Sequence, residues 1–197
     1  KSYQDSYSPN GIIGEKDACG VGFIANVKGI ESNWILKQSL KGLNCMEHRG
    51  GCGGDSDSGD GAGILCSIPW KYFEEKMNLQ NNQDLDRGLG MIFMPNNKEK
   101  IQECKSICDE EAEKLRFNKT SWRTVPVNNE ILGPLAKANA PYISQWILYT
   151  DKTDNQDIER LLFQLRKRIE KKIRETFKNH VGDCEFYFAS LSSQTVV

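Results

Sequence analysis

A mixed fold of helices and strands is what this sequence predicts, and three observations carry the prediction. Short apolar runs built from small residues alternate with longer stretches of helical period. Hydrophobic residues fill 38% of the 197 positions and charged residues 27%, an ordinary balance for a soluble globular chain with one sizeable core. The stretch 155–178 sets Ile158, Leu161, Leu162, Leu165, Ile169, Ile173 and Phe177 in a single stripe, the mark of a long amphipathic helix. The order strand, helix, strand, helix recurs irregularly. It fits α/β and α+β architectures alike, and the pattern alone does not separate them.

Residues 1–18 read as a polar leader without periodicity. Cys19 to Val27 reads as a buried strand, although Gly20 and Gly22 weaken it and signal close backbone approach. Gly29 supplies a turn. Ser32 then suits an N-cap, and Leu36, Leu40 and Leu43 follow at helical spacing up to Met46. The stretch 47–63 breaks all periodicity with glycines at 50, 51, 53, 54, 59, 61 and 63, and it carries Asp55, Asp57 and Asp60. A strand is expected over 62–68. Pro69 then opens a short helix, Trp70–Met77.

A polar loop spans 78–88, followed by a strand over 89–94 that Pro95 stops. The next helix, about 97–117, lines up Ile101, Cys104, Ile107, Cys108, Ala112 and Leu115 on one side. Strands over 121–127 and 142–149 flank a short helix at 130–138. After the helix at 155–178, a strand over 185–191 and an interrupted strand at Thr195-Val196-Val197 close the chain.

Net charge is −1 from 26 basic and 27 acidic residues, which favours neither nucleic acid nor an anionic membrane as partner. The basic side of 155–178 holds Arg166, Lys167, Lys171, Lys172 and Arg174. It reads as a solvated face balanced by Glu159, Glu170 and Glu175. No apolar run is long enough to span a bilayer. Seven irregularly spaced cysteines without a secretion signal point to a reducing compartment. Cys104 and Cys108 are four apart on a helix but no ligand cluster accompanies them, so a thiol pair in or near the core is expected and no metal site. The first residue is Lys and the end reads as an interrupted strand, so a fragment of a longer chain is expected.

The chemistry concentrates at Cys19. A free thiol has a pKa near 8.5 and needs a base to become a nucleophile at neutral pH. Only His48 and His180 exist, and neither sits in a local Cys–His signature. An α-amine titrates near 8 and would sit beside the thiol if the chain began at Cys19. The plain alternative is a small apolar strand residue. The Gly-rich stretch could form an anion nest, yet it lacks the phosphate-loop spacing, and Asp57 and Asp60 fit no calcium-loop register.

Taken together, three motifs carry a resemblance: Asp17-Ala18-Cys19-Gly20-Val21-Gly22-Phe23-Ile24-Ala25, Met46-Glu47-His48-Arg49-Gly50-Gly51 and Asp57-Ser58-Gly59-Asp60-Gly61-Ala62-Gly63-Ile64. With Ile68-Pro69-Trp70 and the closing Phe186 to Ser193, they resemble, over about residues 15–197, the N-terminal glutaminase domain of the glutamate synthase large subunit. Lys16-Asp17-Ala18 and Pro69-Trp70 look more like the ferredoxin-dependent type than the NADPH type. The resemblance implies an α+β fold, the four-layer αββα sandwich of N-terminal-nucleophile hydrolases, incomplete at the C-terminus. It implies a leader, 1–18, removed before Cys19, and an N-terminal part of a class II amidotransferase domain over 19–197.

Cys19 would then attack glutamine, with Arg49 orienting the thiol region and Gly50, Asp60 and Gly61 shaping the adjoining wall. No metal or cofactor is implied for this segment, while FMN and an iron–sulfur cluster are implied for the full-length protein. L-glutamine, the remaining domains of the same polypeptide and ferredoxin (or an NADPH-dependent small subunit) are the implied partners. The implied location is the cytoplasm, or the plastid stroma in a plastid lineage. The family's Asn-Gly oxyanion pair and carboxylate-binding arginine match no residue of this chain, so little activity is expected of it alone. The competing readings are a non-catalytic scaffold that keeps the fold, and a phosphate- or metal-binding module on the 50–63 loop.

Overall fold

In a computed structural model the structure describes residues 20–50, 55, 57–59, 61–77, 79, 85–151, 155–177 and 186–197, with the side chains of 49, 155 and 156 excluded. Two compact units divide the chain, Lys1–Ala62 and Gly63–Val197.

The first unit holds helix α1, Asn33–Cys45, and a 3-10 turn, Glu47–Arg49. Ser32 caps α1 as its spacing predicts, its hydroxyl accepting from the Ile35 amide. The expected turn closes at Gly29, whose N–H donates to the Asn26 carbonyl at 2.9 Å. Gly20–Val27 departs from expectation. It carries no regular structure, and Val21, Phe23 and Val27 are exposed. A strand gains stability from a neighbour that satisfies its amides and covers its side chains, and no described strand pairs with this one.

The second unit is built on a four-stranded antiparallel sheet. Its strands are β2 (Leu85–Met94), β3 (Phe117–Thr124), β4 (Tyr142–Asp151) and β5 (Tyr187–Ser192), in the order β3-β4-β2-β5. Strand β2 pairs with β4 from Leu85↔Asp151 to Met94↔Tyr142, and with β5 on its other edge across a register shift at Met91/Ile92. Two further helices, α3 (Lys98–Lys114) and α5 (Asn155–Thr176), pack on one face of the sheet. The core there joins Ile92, Met94, Trp146, Leu148 and Phe188 to Cys104, Ile107, Cys108 and the apolar stripe of α5. Gly88 is required by this packing: a Cβ on it would sit 2.7 Å from Leu162 Cδ2 and 2.9 Å from Leu148 Cδ1.

The other face of the sheet is covered by helix α2, Trp70–Met77, and by a small ladder. In that ladder β1 (Cys66–Ser67) pairs with β6 (Thr195–Val196). Leu89, Ile147 and Tyr149 of the sheet meet Ile68, Phe73 and Val196 there. Strand β4, between two neighbours and under two layers, is buried from Ser144 to Thr150. The stretch expected as a strand over 62–68 forms its ladder only at Cys66–Ser67. Helix α4 is a single turn, Pro134–Ala138, after a 3-10 turn at Asn129–Ile131. The fold is therefore α+β with antiparallel sheets.

Asp109 ties α3 to the sheet. Its carboxylate accepts from Thr120 Oγ1 at 2.9 Å, from Trp122 Nε1 at 3.0 Å and from Trp146 Nε1 at 3.0 Å. The two indoles stack at 5.2 Å between ring centres.

Candidate functional site

The site expected from sequence sits in the first unit. Helix α1 ends when the Met46 amide bonds back to Leu43, and the chain tightens into the 3-10 turn that carries His48 and Arg49. Arg49 thus has a fixed backbone position, while its side chain lies outside the described residues. Gly50 closes the turn in an extended conformation, its N–H donating to the Glu47 carbonyl at 3.0 Å. A Cβ on Gly50 would stand 3.3 Å from that same carbonyl, so a side chain would press on the turn that sets Arg49.

In the Gly-rich stretch, Asp55 accepts from the Ser58 amide at 2.6 Å and from the Ser58 hydroxyl at 3.0 Å, and Ser58 is buried. An Asp accepting from an amide three residues on is a local turn device. The spacing Asp-x-x-Ser signals it in the sequence, and the expectation for this stretch rested on Asp57 and Asp60 instead. Gly61 adopts φ +89°, the left-handed region that favours glycine, and so supplies the bend after the motif's second aspartate. Cys19 and Asp60 lie outside the described residues. Of the five expected site residues, the structure fixes Gly50, Gly61 and the backbone of Arg49.

Among the described residues, two thiols belong to the core of the second unit. Cys104 and Cys108 are fully buried between α3 and the sheet. Burial pushes the Cys108 thiol well up, and the neighbouring Cys104 and Asp109 add to the effect. Cys66 is half-buried in β1 and burial raises its pKa as well, whereas Cys45 is exposed at the end of α1. Among the described residues no three His, Cys, Asp or Glu side chains converge as a metal donor set. No described helix is long and apolar enough to cross a membrane.

The expected neutralisation of the α5 basic face holds in part. Glu170 accepts from Arg166 Nε at 2.7 Å and from Lys167 Nζ at 2.9 Å, while Arg168 pairs with Glu111 of α3 at 2.8 Å. Glu159 does different work. Its Oε1 takes the Ser193 amide at 2.6 Å, the Ser193 hydroxyl at 2.6 Å and the Ser192 hydroxyl at 3.1 Å. Nothing in helical periodicity marks Glu159 for that role.

The described structure is thus an antiparallel α+β domain, with the Arg49-Gly50 turn and the left-handed Gly61 in the residues that precede it in the chain. The family described as glutamine amidotransferases class-II matches residues 19–197, and the chain belongs to that family. It is 43% identical to ferredoxin-dependent glutamate synthase, chloroplastic, of Oryza sativa subsp. japonica, over 100% of this chain and 12% of that protein. It is 43% identical to ferredoxin-dependent glutamate synthase 1, chloroplastic/mitochondrial, of Arabidopsis thaliana, over 94% of this chain and 12% of that protein. The ferredoxin-dependent glutamate synthase 2 of Synechocystis sp. is 39% identical, again over 94% and 12%. The chain therefore spans about an eighth of the length of these relatives.

Proposed function

We propose that this chain is the glutaminase segment of a ferredoxin-dependent glutamate synthase, with Cys19 as its nucleophile. The observation that carries the reading is the family match, which starts at residue 19, the thiol singled out by its motif. In this reading residues 1–18 are a leader, and their removal frees the Cys19 α-amine.

The amine takes the thiol proton as sulfur adds to the side-chain amide carbon of glutamine. Collapse of the tetrahedral adduct breaks the C–N bond, and the proton passes from the amine to the departing ammonia. The γ-glutamyl thioester left behind is attacked by water. Its C–S bond then breaks, and glutamate leaves as the thiol is restored. Arg49, on its 3-10 turn, orients the thiol region, while Gly50, Asp60 and Gly61 form the adjoining wall.

Ferredoxin dependence is the property that the relatives' names carry, and ferredoxin is the proposed electron donor of the full-length protein. FMN and an iron–sulfur cluster, held in other domains, would supply the reductive amination of 2-oxoglutarate by the ammonia released here. Among the described residues the thiols do not converge on such a cluster. The same relatives support a plastid or cyanobacterial setting.

Replacement of Cys19 by Ala in the full-length enzyme tests the reading. Glutamine hydrolysis is expected to fall at least about a thousandfold, with the fold unchanged by circular dichroism. Intact mass is expected to show a wild-type chain that begins at Cys19. A retained leader together with undiminished hydrolysis in the variant overturns the proposal and leaves a scaffold domain.

A further inference from the structure

We propose that the outer face of α3 and α5 is a self-complementary surface that pairs this chain with a second copy of itself. The surface lies wholly within the second unit and does not depend on the reaction above.

On α3, Glu99, Glu103, Ser106, Glu110 and Glu113 recur at helical spacing, and all five are exposed. On α5, Arg160, Gln164, Lys167, Lys171 and Arg174 recur at the same intervals and are exposed as well. Neither stripe holds a charge of the opposite sign, although Glu170 and Glu175 flank the basic one. Among the described residues none of the four stripe glutamates enters an ion pair. On the basic stripe only Lys167 does, with Glu170 at 2.9 Å.

The two helices pack against each other on one face of the sheet. Arg168 of α5 meets Glu111 of α3 at 2.8 Å, and Thr176 lines a groove of about 580 Å³ with Glu103, Ser106 and Glu110. Residue numbers thus rise along α5 as they fall along α3, and the helices run antiparallel. Lys167, Lys171 and Arg174 therefore stand within about a turn of the levels of Glu113, Glu110 and Glu103. A positive and a negative stripe of one period lie side by side and face outward.

That juxtaposition selects the occupant. An acidic partner attracted by α5 would be repelled by α3, and a basic partner would meet the reverse. A second copy carries both stripes. A twofold axis along the seam between the helices sets each copy's α3 over the other's α5, so every contact occurs twice. A stripe of this length runs about 22 Å, and two helices are about 20 Å wide. The face therefore covers about 440 Å² on each copy, roughly half of a standard interface. Association is expected to be weak, with Kd on the order of 10 μM, and sensitive to salt.

Sedimentation of the full-length enzyme tests the proposal at about 10 to 100 μM protein, in about 50 mM and about 500 mM sodium chloride. The wild type is expected to self-associate at low salt and to dissociate at high salt. Lys171→Glu with Arg174→Glu makes the face acidic throughout, and Glu103→Lys with Glu110→Lys makes it basic. Each double variant is expected to weaken association at least about tenfold, with its urea midpoint near wild type because all four positions are exposed. An equimolar mixture of the two is expected to form a one-to-one dimer as tight as the wild type. If a double variant fails to fold, Lys171→Glu and Glu110→Lys singly carry the same expectation at smaller size. A monomeric wild type overturns the proposal, as does association that neither salt nor charge reversal weakens. A mixture no tighter than its components also overturns it, since the loss then reports disturbed helices or a different partner.

Discussion

Among the described residues, the first unit buries no apolar side chain, whereas the second builds two apolar cores. Phe23 is 99% exposed, and α1 has no buried residue although Leu36, Leu40 and Leu43 recur at helical spacing. In the second unit Leu162, Leu165 and Ile169 of α5 are fully buried against a sheet that is itself covered on both faces. The five candidate site residues fall in the first unit and the described apolar cores in the second, so substitutions in the two units should behave differently.

The sharpest break is expected at Leu162, which packs against β2 and β4 beneath Gly88. Truncation to Ala opens a cavity in a core with no solvent access. It should cost about 2 to 5 kcal/mol, read as a drop in the urea midpoint at unchanged slope. A loss below about 1 kcal/mol would mean that the α5 face is loosely packed.

A smaller effect is expected at Glu111, a buried carboxylate on α3 held by Lys114 at 2.6 Å and Arg168 at 2.8 Å. Burial pushes its pKa up, but the hydrogen bonds and charges of Lys114 and Arg168 more than offset that, and the carboxyl lies below its usual value. A lowered folded pKa contributes stability that is present above the unfolded value, near 4.3. That contribution disappears as pH falls through the folded value. Both cations are about half exposed, so the pair is worth about 1 kcal/mol near pH 7. Glu111→Gln should lose that amount in urea unfolding near pH 7, and the gap to wild type should close once the carboxyl is protonated. A gap that persists in acid would assign the effect to packing.

Periodicity located the second unit well. Helix α2 falls at Trp70–Met77 as expected, and α3 and α5 match within a few residues, because their apolar stripes are long and face one sheet. The misses have local causes. Strand β2 begins at Leu85 because the ladder with β4 continues through Asp86, Arg87 and Gly88, which look like a turn in isolation. Helix α3 stops at Lys114 because Arg116 takes φ 67°, a conformation usually signalled by Gly, and β3 starts at once with Phe117. The candidate site is read by a different route. Cys19, Arg49 and Asp60 are candidates through motif order and spacing alone, whereas the Asp55–Ser58 turn and the hydrogen bonds of Glu159 to Ser192 and Ser193 depend on where side chains meet.

The smallest expected effect lies at Phe23, and it tests the comparison from the other side. An apolar residue in Gly20–Val27 would ordinarily be read as core, where Phe→Ser would cost several kcal/mol. The ring is exposed and no described strand pairs with its backbone, so little apolar burial is there to lose. Phe23→Ser is therefore expected to shift the unfolding free energy of the 197-residue chain by less than about 0.5 kcal/mol. In the full-length enzyme the same substitution separates two roles for the segment. If Gly20–Val27 gains a neighbour there, the cost should rise into the range expected for Leu162. If it does not, the glycines and the ring beside Cys19 serve the reacting centre, and the loss should appear in glutamine turnover with stability unchanged.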